Sequence, residues 1–316
     1  MKAESTVLYD APGPRARRVS AISSVVATVL VVVVGYLLVY RTLAGEGQFD
    51  GALWGPLVNP SNESFRPLWR NLLLPGLVNT LRAAVFAVVS ALVFGTLLAV
   101  ARIQLKALPR RRLRGLSWAL NGTTRLFVEV FRGMPVVITI FFVARALPEF
   151  GVNFADPVWY LVIGLTLYNM VVIAEILRSG MEGLPPGQRE AAAAIGFSSF
   201  QTTRLVLLPQ AFRIMLPALI SQLVVVLKDS SLGFIISYPE FLRQASIAIQ
   251  TLGNPIQMYA VVAVVYIGVN YPLSKLAVYV QRRLARGRKT AGIALPEKSA
   301  AELEAEVAAG GTGVAA

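Results

Sequence analysis

Neither cysteine nor histidine occurs among the 316 residues. Without cysteine there is no disulfide and no thiolate to attack a substrate or hold a metal. Without histidine the commonest metal ligand and the commonest general base near neutral pH are both missing. Metal-assisted and acyl-transfer chemistry are therefore disfavoured. Charge is also scarce, 15% of the chain against about 25% in an average soluble domain. No Gly-x-x-x-x-Gly-Lys-Ser/Thr run occurs, so the chain brings no phosphate-cradling loop of its own.

What fills the chain instead is apolar. Hydrophobic residues make up 55% and the mean hydropathy is +0.62, the composition of an integral membrane protein. A spanning helix needs about 20 apolar residues. Six segments qualify: Ala21 to Val39, Leu73 to Ala101, Leu126 to Leu147 with an amphipathic approach, Val158 to Leu177, Met215 to Ile236 and Met258 to Val280. The expected fold is all-α, with about six transmembrane helices and no sheet.

The cations are distributed one-sidedly. Arg15, Arg17 and Arg18 precede the first span, Arg102, Lys106, Arg110, Arg111, Arg112 and Arg114 follow the second, and Arg282, Arg283, Arg286, Arg288 and Lys289 follow the sixth. The alternate loops hold Glu46, Asp50, Glu63, Glu149, Asp156 and Glu240, with only Arg66 and Arg243 as cations. Positive residues at span ends favour the cytoplasm, so both termini are expected inside. The net charge of +13 and pI near 10.4 follow from that topology and from anionic lipid rather than from nucleic acid, because no soluble basic patch interleaved with aromatics is present. The expected organisation is a cytoplasmic segment 1–20, a helix 21–41, an extracytoplasmic loop 42–72, a transmembrane core 73–284 and a disordered tail 285–316 rich in Glu, Gly and Ala. The first span has no clear small-residue cleavage site after it and reads as a retained helix.

One polar island interrupts the apolar pattern, within 182–212. Pro185 and Pro186 can open a helix, Gln188 to Ile195 is Ala-rich and helix-favouring, and Gly196 ends it. Ser198 with Gln201 three residues on is a capping box, predicting a second short helix that runs until Pro209. Such a knuckle is too polar to insert and too short to be a domain, and it suits docking into a groove of a soluble partner. By itself a Glu-Ala-Ala triplet would be an ordinary Ala-rich loop. Here the spacing extends much further, with Glu190, Ala191, Ala192, Gly196, Val206, Leu208 and Pro209 in register over twenty residues.

That register resembles the Glu-Ala-Ala loop of the transmembrane permeases of ATP-binding-cassette (ABC) importers, in which the triplet is followed by three residues, Gly, nine residues, an aliphatic residue, any residue, Leu and Pro. Further motifs are similar to the polar amino acid branch of these permeases, which serves histidine, glutamate, glutamine, arginine and opines. They are Gly76-Leu-Val-Asn-Thr-Leu81, Glu129-Val-Phe-Arg-Gly-Met-Pro135, Ala174-Glu-Ile-Leu-Arg-Ser-Gly180, Gly187-Gln188, Pro209-Gln-Ala211, Leu216-Pro217 and Leu227-Lys-Asp-Ser-Ser-Leu232. The resemblance covers roughly Leu73 to Leu284. The start, Thr6-Val-Leu-Tyr-Asp-Ala-Pro-Gly-Pro-Arg15, resembles one permease subunit of actinobacterial glutamate importers, as does the extra first span. Two positions depart from the branch: Met134 stands where Thr is usual and Thr139 where many members have Gln.

The resemblance implies a five-helix type I importer core behind one extra helix, in the cell membrane. It implies a transport subunit rather than an enzyme, with ATP and Mg bound by a partner ATPase dimer and no cofactor on this chain. The other implied partners are a second, non-identical permease and an extracytoplasmic amino acid binding protein. Gly187, Glu190, Ala191, Ala192, Gly196, Leu208 and Pro209 become the ATPase-coupling residues, and the implied cargo is L-glutamate, with glutamine or a basic amino acid as alternatives.

Charges within the spans each cost roughly 2.5 to 3.5 kcal/mol if left in hydrocarbon, so they are expected to face protein or water. Glu175 and Arg178 are three apart and suit a structural ion pair; Glu129 and Arg132 share that spacing, beside Pro135, in a structural or gating role. Lys228, Asp229, Ser230 and Ser231 lie about 13 to 16 residues into the fifth span, nearer the bilayer middle. With Asn169 and Gln222 they form the candidate substrate pathway, against the alternative of a Lys228 and Asp229 pair that only joins helices. Two other classes stay open at this point. A proton-coupled secondary carrier would titrate Glu175 or Asp229 and need no knuckle; a passive channel would need repeated filter residues, and none are evident.

Overall fold

The computed structural model describes residues 13–107 and 114–290. Residues 6–12 of the opening motif, the cations Arg110, Arg111 and Arg112, and the tail beyond Thr290 lie outside the described residues. Every element among the described residues is helical: α1 (Pro14–Gly45), α2 (Gly51–Val58), α3 (Phe65–Ala107), α4 (Arg114–Gly133), α5 (Val136–Glu149), α6 (Val158–Glu182), α7 (Gly187–Ala194), α8 (Ser199–Ile236), α9 (Phe241–Leu252) and α10 (Pro255–Thr290). Among the described residues five helices are long and apolar enough to cross a membrane, and the sixth crossing exists only if α4 and α5 count as one bent span.

That pair corrects the expectation of a continuous span from Leu126 to Leu147. The two helices meet at 109°. Pro135 has no N–H to give and sits in extended backbone (φ −60°, ψ 136°) as the N-cap of α5. Hydropathy runs straight through this point; backbone hydrogen bonding does not. Other limits also differ. The first helix begins at Pro14 rather than Ala21, the second spanning helix at Phe65 rather than Leu73, and helical backbone continues through 285–290.

Pro209 does not end the knuckle's second helix either. It removes the donor that would bond Leu205 O, and the backbone answers with a π-helical segment, Thr202–Leu207, that carries the helix past the proline into the span. The same device recurs before Pro75, where Trp69–Leu73 is π-helical.

The chain forms two compact units. The first comprises Met1–Asn79 with Pro239–Val265. There Asp50 caps α2 through the Ala52 N–H (3.0 Å), Asn254 donates to Leu53 O (2.8 Å) and Gln257 to Gln48 O (2.6 Å), so the polar stretch before α2 is tied to the start of α10. The apolar window of α1 is not buried by any of the described residues.

The second unit, Thr80–Tyr238 with Tyr266–Ala316, holds the core. Lipid gives helices no hydrophobic reason to associate, so close packing depends on small residues. Along α3, Ala83, Ala87, Ala91, Gly95 and Ala99 recur at intervals of four, and all four alanines are fully buried. A Cβ on Gly95 would come within 2.9 Å of Met170 O, and one on Gly164 within 2.7 Å of Ile140 Cα. These glycines set how near α3 and α5 lie to α6. One buried cluster centres on Ile173, Leu177, Met181 and Leu207, another on Ile140, Leu161, Leu165 and Tyr238.

Candidate functional site

At one end of the second unit, the C-terminus of α6 and the N-terminus of α8 are joined by the knuckle. α7 opens just after Pro186 and closes with Gly196 left-handed at φ +85°. Phe197 N–H bonds to Ala192 O and Gly196 N–H to Ala193 O, each at 3.0 Å, the two bonds of a Schellman motif. Two residues later the capping box closes as the sequence predicts: Ser198 Oγ accepts from Gln201 N–H (3.3 Å) and Gln201 Oε1 from Ser198 N–H (2.8 Å). Gln210 donates to Gln188 Oε1 (3.3 Å), joining α8 back to α7.

The knuckle shows its faces unequally. Ala192 is buried and Leu208 packs on the core, while Gly187, Glu190, Ala191, Gly196 and Pro209 are exposed. Glu190 has no ion pair among the described residues. Two large apolar side chains stand out to solvent beside it, Ile195 at 71% and Phe200 at 51% exposed. Apolar exposure on a polar loop marks a contact surface better than the charge does.

Behind the knuckle runs a ladder of charges between α3 and α6. Glu175 accepts from Arg178 (2.7 and 3.0 Å) and faces Arg102; Arg178 also meets Glu182; Glu182 holds Lys106 Nζ at 2.7 Å. The expected Glu175 and Arg178 pair is there, as part of a five-residue network. Beside it Gln104 donates to Thr203 Oγ1 (2.8 Å) and to Ser199 O (3.3 Å), fixing α3 to the π-helical start of α8. A hollow of about 400 Å³ remains between these parts, lined by Lys106, Glu182, Arg189, Phe197, Thr202 and Thr203 among others.

The other polar residues are less uniform. Asn169 is fully buried; it donates to Leu165 O (2.8 Å) and accepts from Gln222 (2.7 Å), so these two candidates meet as a clasp between α6 and α8. Ser230 donates to Leu227 O and Ser231 to Lys228 O, both within their own helix. Lys228 is exposed and Asp229 half-buried, with no salt bridge between them among the described residues. Glu129 and Arg132 are exposed and likewise form no pair among the described residues, and Pro135 caps α5. Met134 and Thr139 line an apolar hollow of about 430 Å³ beside the α4 and α5 bend, where Thr139 Oγ1 finds no partner among the described residues.

Residues 91–286 match the model of the binding-protein-dependent transport system inner membrane component family. The chain belongs to this family. The permease is 41% identical to the glutamate transport system permease protein GluD of Corynebacterium glutamicum over 83% of this chain and 91% of that one. It is 34% identical to the glutamine transport system permease protein GlnP of Escherichia coli strain K12, over 69% and 93%. Its fold is similar to a solved amino acid ABC transporter crystallised with histidines, with a TM-score of 0.58 and 27% identity over 68% of this chain and 95% of that chain.

The family match takes in the knuckle, the ladder, the bent pair and the Asn169 and Gln222 clasp, and stops short of α1 and α2. The sequence alone does not single out Glu182 or Gln104 as members of this site, and it marks Arg102 and Lys106 only as topology signals. A partial clue was available: Arg102 and Lys106 are four apart, and Glu175, Arg178 and Glu182 fall at helical spacing, so each set shares one face.

Proposed function

We propose that this permease moves a polar amino acid, L-glutamate, inward by alternating access, driven by ATP that a separate ATPase dimer binds with Mg and hydrolyses. The observation that carries this reading is the knuckle at 187–209. It is closed at both ends by its own caps, exposes Ile195 and Phe200, and is joined without a break to the span of α8. A force on such an element reaches α8 directly and reaches α3 through Gln104 and the ladder. The reading places the knuckle (loop 182–212) and both termini in the cytoplasm, as the cation distribution favours, and the stretch 42–72 outside.

One chain offers one knuckle, so two ATPases need two permease chains. The extra helix α1, whose apolar window no described residue buries, supports a non-identical second permease. An extracytoplasmic binding protein delivers the amino acid to the outward-facing state. Shifting a two-state permease from 1:99 to 99:1 takes about 5.5 kcal/mol of differential binding; ATP supplies it by closing the ATPases on the knuckles.

The choice of glutamate is supported by the 41% identity to the C. glutamicum permease; the 34% identity to the E. coli glutamine permease supports glutamine as the second reading. Uptake of labelled glutamate by the complete assembly, in competition with glutamate, glutamine, aspartate and arginine, tests it. Competition mainly by unlabelled glutamate upholds the substrate; stronger competition by glutamine or arginine replaces it; and uptake that persists after ATP depletion replaces the mechanism with a proton-coupled carrier.

A further inference from the structure

At the end of the second unit opposite the knuckle, a separate cleft of about 270 Å³ opens between α5, the start of α6 and the end of α8. It is lined by Phe141, Ala144, Arg145, Pro157, Tyr160 and the run 235–237. The volume is that of about nine liquid waters at ~30 Å³ each, room for a small amino acid or its side chain.

The one charged side chain in its lining is a cation, Arg145. Tyr160 is already engaged, its hydroxyl accepting from Phe154 N–H (3.1 Å) and donating to Val152 O (3.5 Å). Arg145 is exposed and has no carboxylate partner among the described residues, even with Glu149 one turn further along α5. Its guanidinium stands 5.5 Å from the centre of the Phe141 ring, which holds a flexible side chain in place without neutralising it. The lining also includes Ser237 in the left-handed region at φ 59°, the one described non-glycine residue there. Backbone strain of this sort persists where the surroundings over-determine it, commonly at ligand sites.

We infer that this cleft is an anion-recognition site in which Arg145 receives the carboxylate of an acidic amino acid at the side where cargo arrives. The inference rests on the importer reading above and deepens it by naming a residue that distinguishes glutamate from glutamine. A guanidinium can grip a carboxylate through two parallel N–H···O bonds, a geometry that an amide with one acceptor cannot match. Lys228 lies on α8, roughly 15 Å along the helix from Ile236 at a rise of about 1.5 Å per α-helical and 2.0 Å per 3-10 residue, a second cation for the anion to meet on its way in.

The test uses the complete permease and ATPase complex in nanodiscs without the binding protein, and measures equilibrium binding of labelled L-glutamate and L-glutamine. Losing a charge-assisted bond costs about 10- to 100-fold in affinity. Arg145→Gln is expected to weaken glutamate binding by that factor and leave glutamine binding unchanged, with Arg145→Lys recovering part of the loss. Equal glutamate binding by wild type and Arg145→Gln overturns the inference. So does an effect of the substitution that follows the anionic lipid content of the nanodisc rather than glutamate, which makes Arg145 a lipid-headgroup anchor. If the full assembly transports glutamate but wild-type permease binds none at this end, the cleft proposal fails while the function stands; if the assembly does not transport glutamate, the function fails first.

Discussion

Removing the carboxylate of Glu175 tests whether the ladder holds α3 against α6. The side chains of Arg102, Glu175 and Arg178 are only 16%, 19% and 21% exposed, so screening by water is limited. Two unit charges about 4 Å apart attract by about 4 kcal/mol at an effective dielectric constant near 20. In Glu175→Ala, Arg178 keeps Glu182 as a partner, whereas Arg102 loses its one salt bridge among the described residues. The local balance also shifts, from three cations with two anions to three with one. Breaking such a pair from one side is expected to cost about 3 to 5 kcal/mol, because a cation is left desolvated and unanswered. The assay is reversible unfolding of the purified permease from mild detergent into dodecyl sulfate, read by tryptophan fluorescence. Arg102→Met with Glu175→Leu, which removes both partners, should recover most of the loss. A cost below about 1 kcal/mol for Glu175→Ala, or a double variant whose loss equals the sum of those of Arg102→Met and Glu175→Leu alone, refutes the reasoning.

Four further outcomes follow from the packing and the hydrogen bonds. Gly164→Ala places a methyl group 2.7 Å from Ile140 Cα, a backbone atom that cannot turn aside; it should cost about 1 to 3 kcal/mol by the same unfolding assay. Gly180→Ala, whose new methyl meets Met215 Cγ at 2.6 Å on a flexible side chain, should cost less. Ser198→Ala removes the acceptor of the capping box and should lower local stability by about 1 kcal/mol, seen as faster amide exchange at Gln201 while the spans stay protected. Asn169→Leu and Gln222→Leu should show a coupling of about 0.6 to 1.7 kcal/mol in a double-mutant cycle, as expected for a hydrogen bond between membrane helices.

Much of this arrangement is legible residue by residue. Gly196 and the Ser198 and Gln201 capping box act locally, so their geometry follows from spacing alone. The Glu175 and Arg178 pair is legible for the same reason. The bend at Pro135 is harder to read, because Leu126 to Leu147 is apolar throughout and only a missing N–H marks the break. At Pro209 the opposite happens: a residue that normally stops a helix is absorbed by a wider π turn. Arg102 belongs to Glu175 only because the small-residue stripe of α3 brings two helices together in one register, and hydropathy carries no record of that register.

On the proposed function, the exposed knuckle converts ATP binding on partner chains into movement of the spans. This coupling is tested most directly by reconstituting the whole assembly with Glu190→Ala and measuring glutamate uptake and binding-protein-stimulated ATP hydrolysis together with the amount of permease in the membrane. Normal insertion is expected, because Glu190 makes no ion pair among the described residues, with uptake reduced by at least about tenfold, the effect of losing about 1.4 kcal/mol of coupling. Uptake and stimulated hydrolysis equal to wild type, at equal abundance, would contradict it.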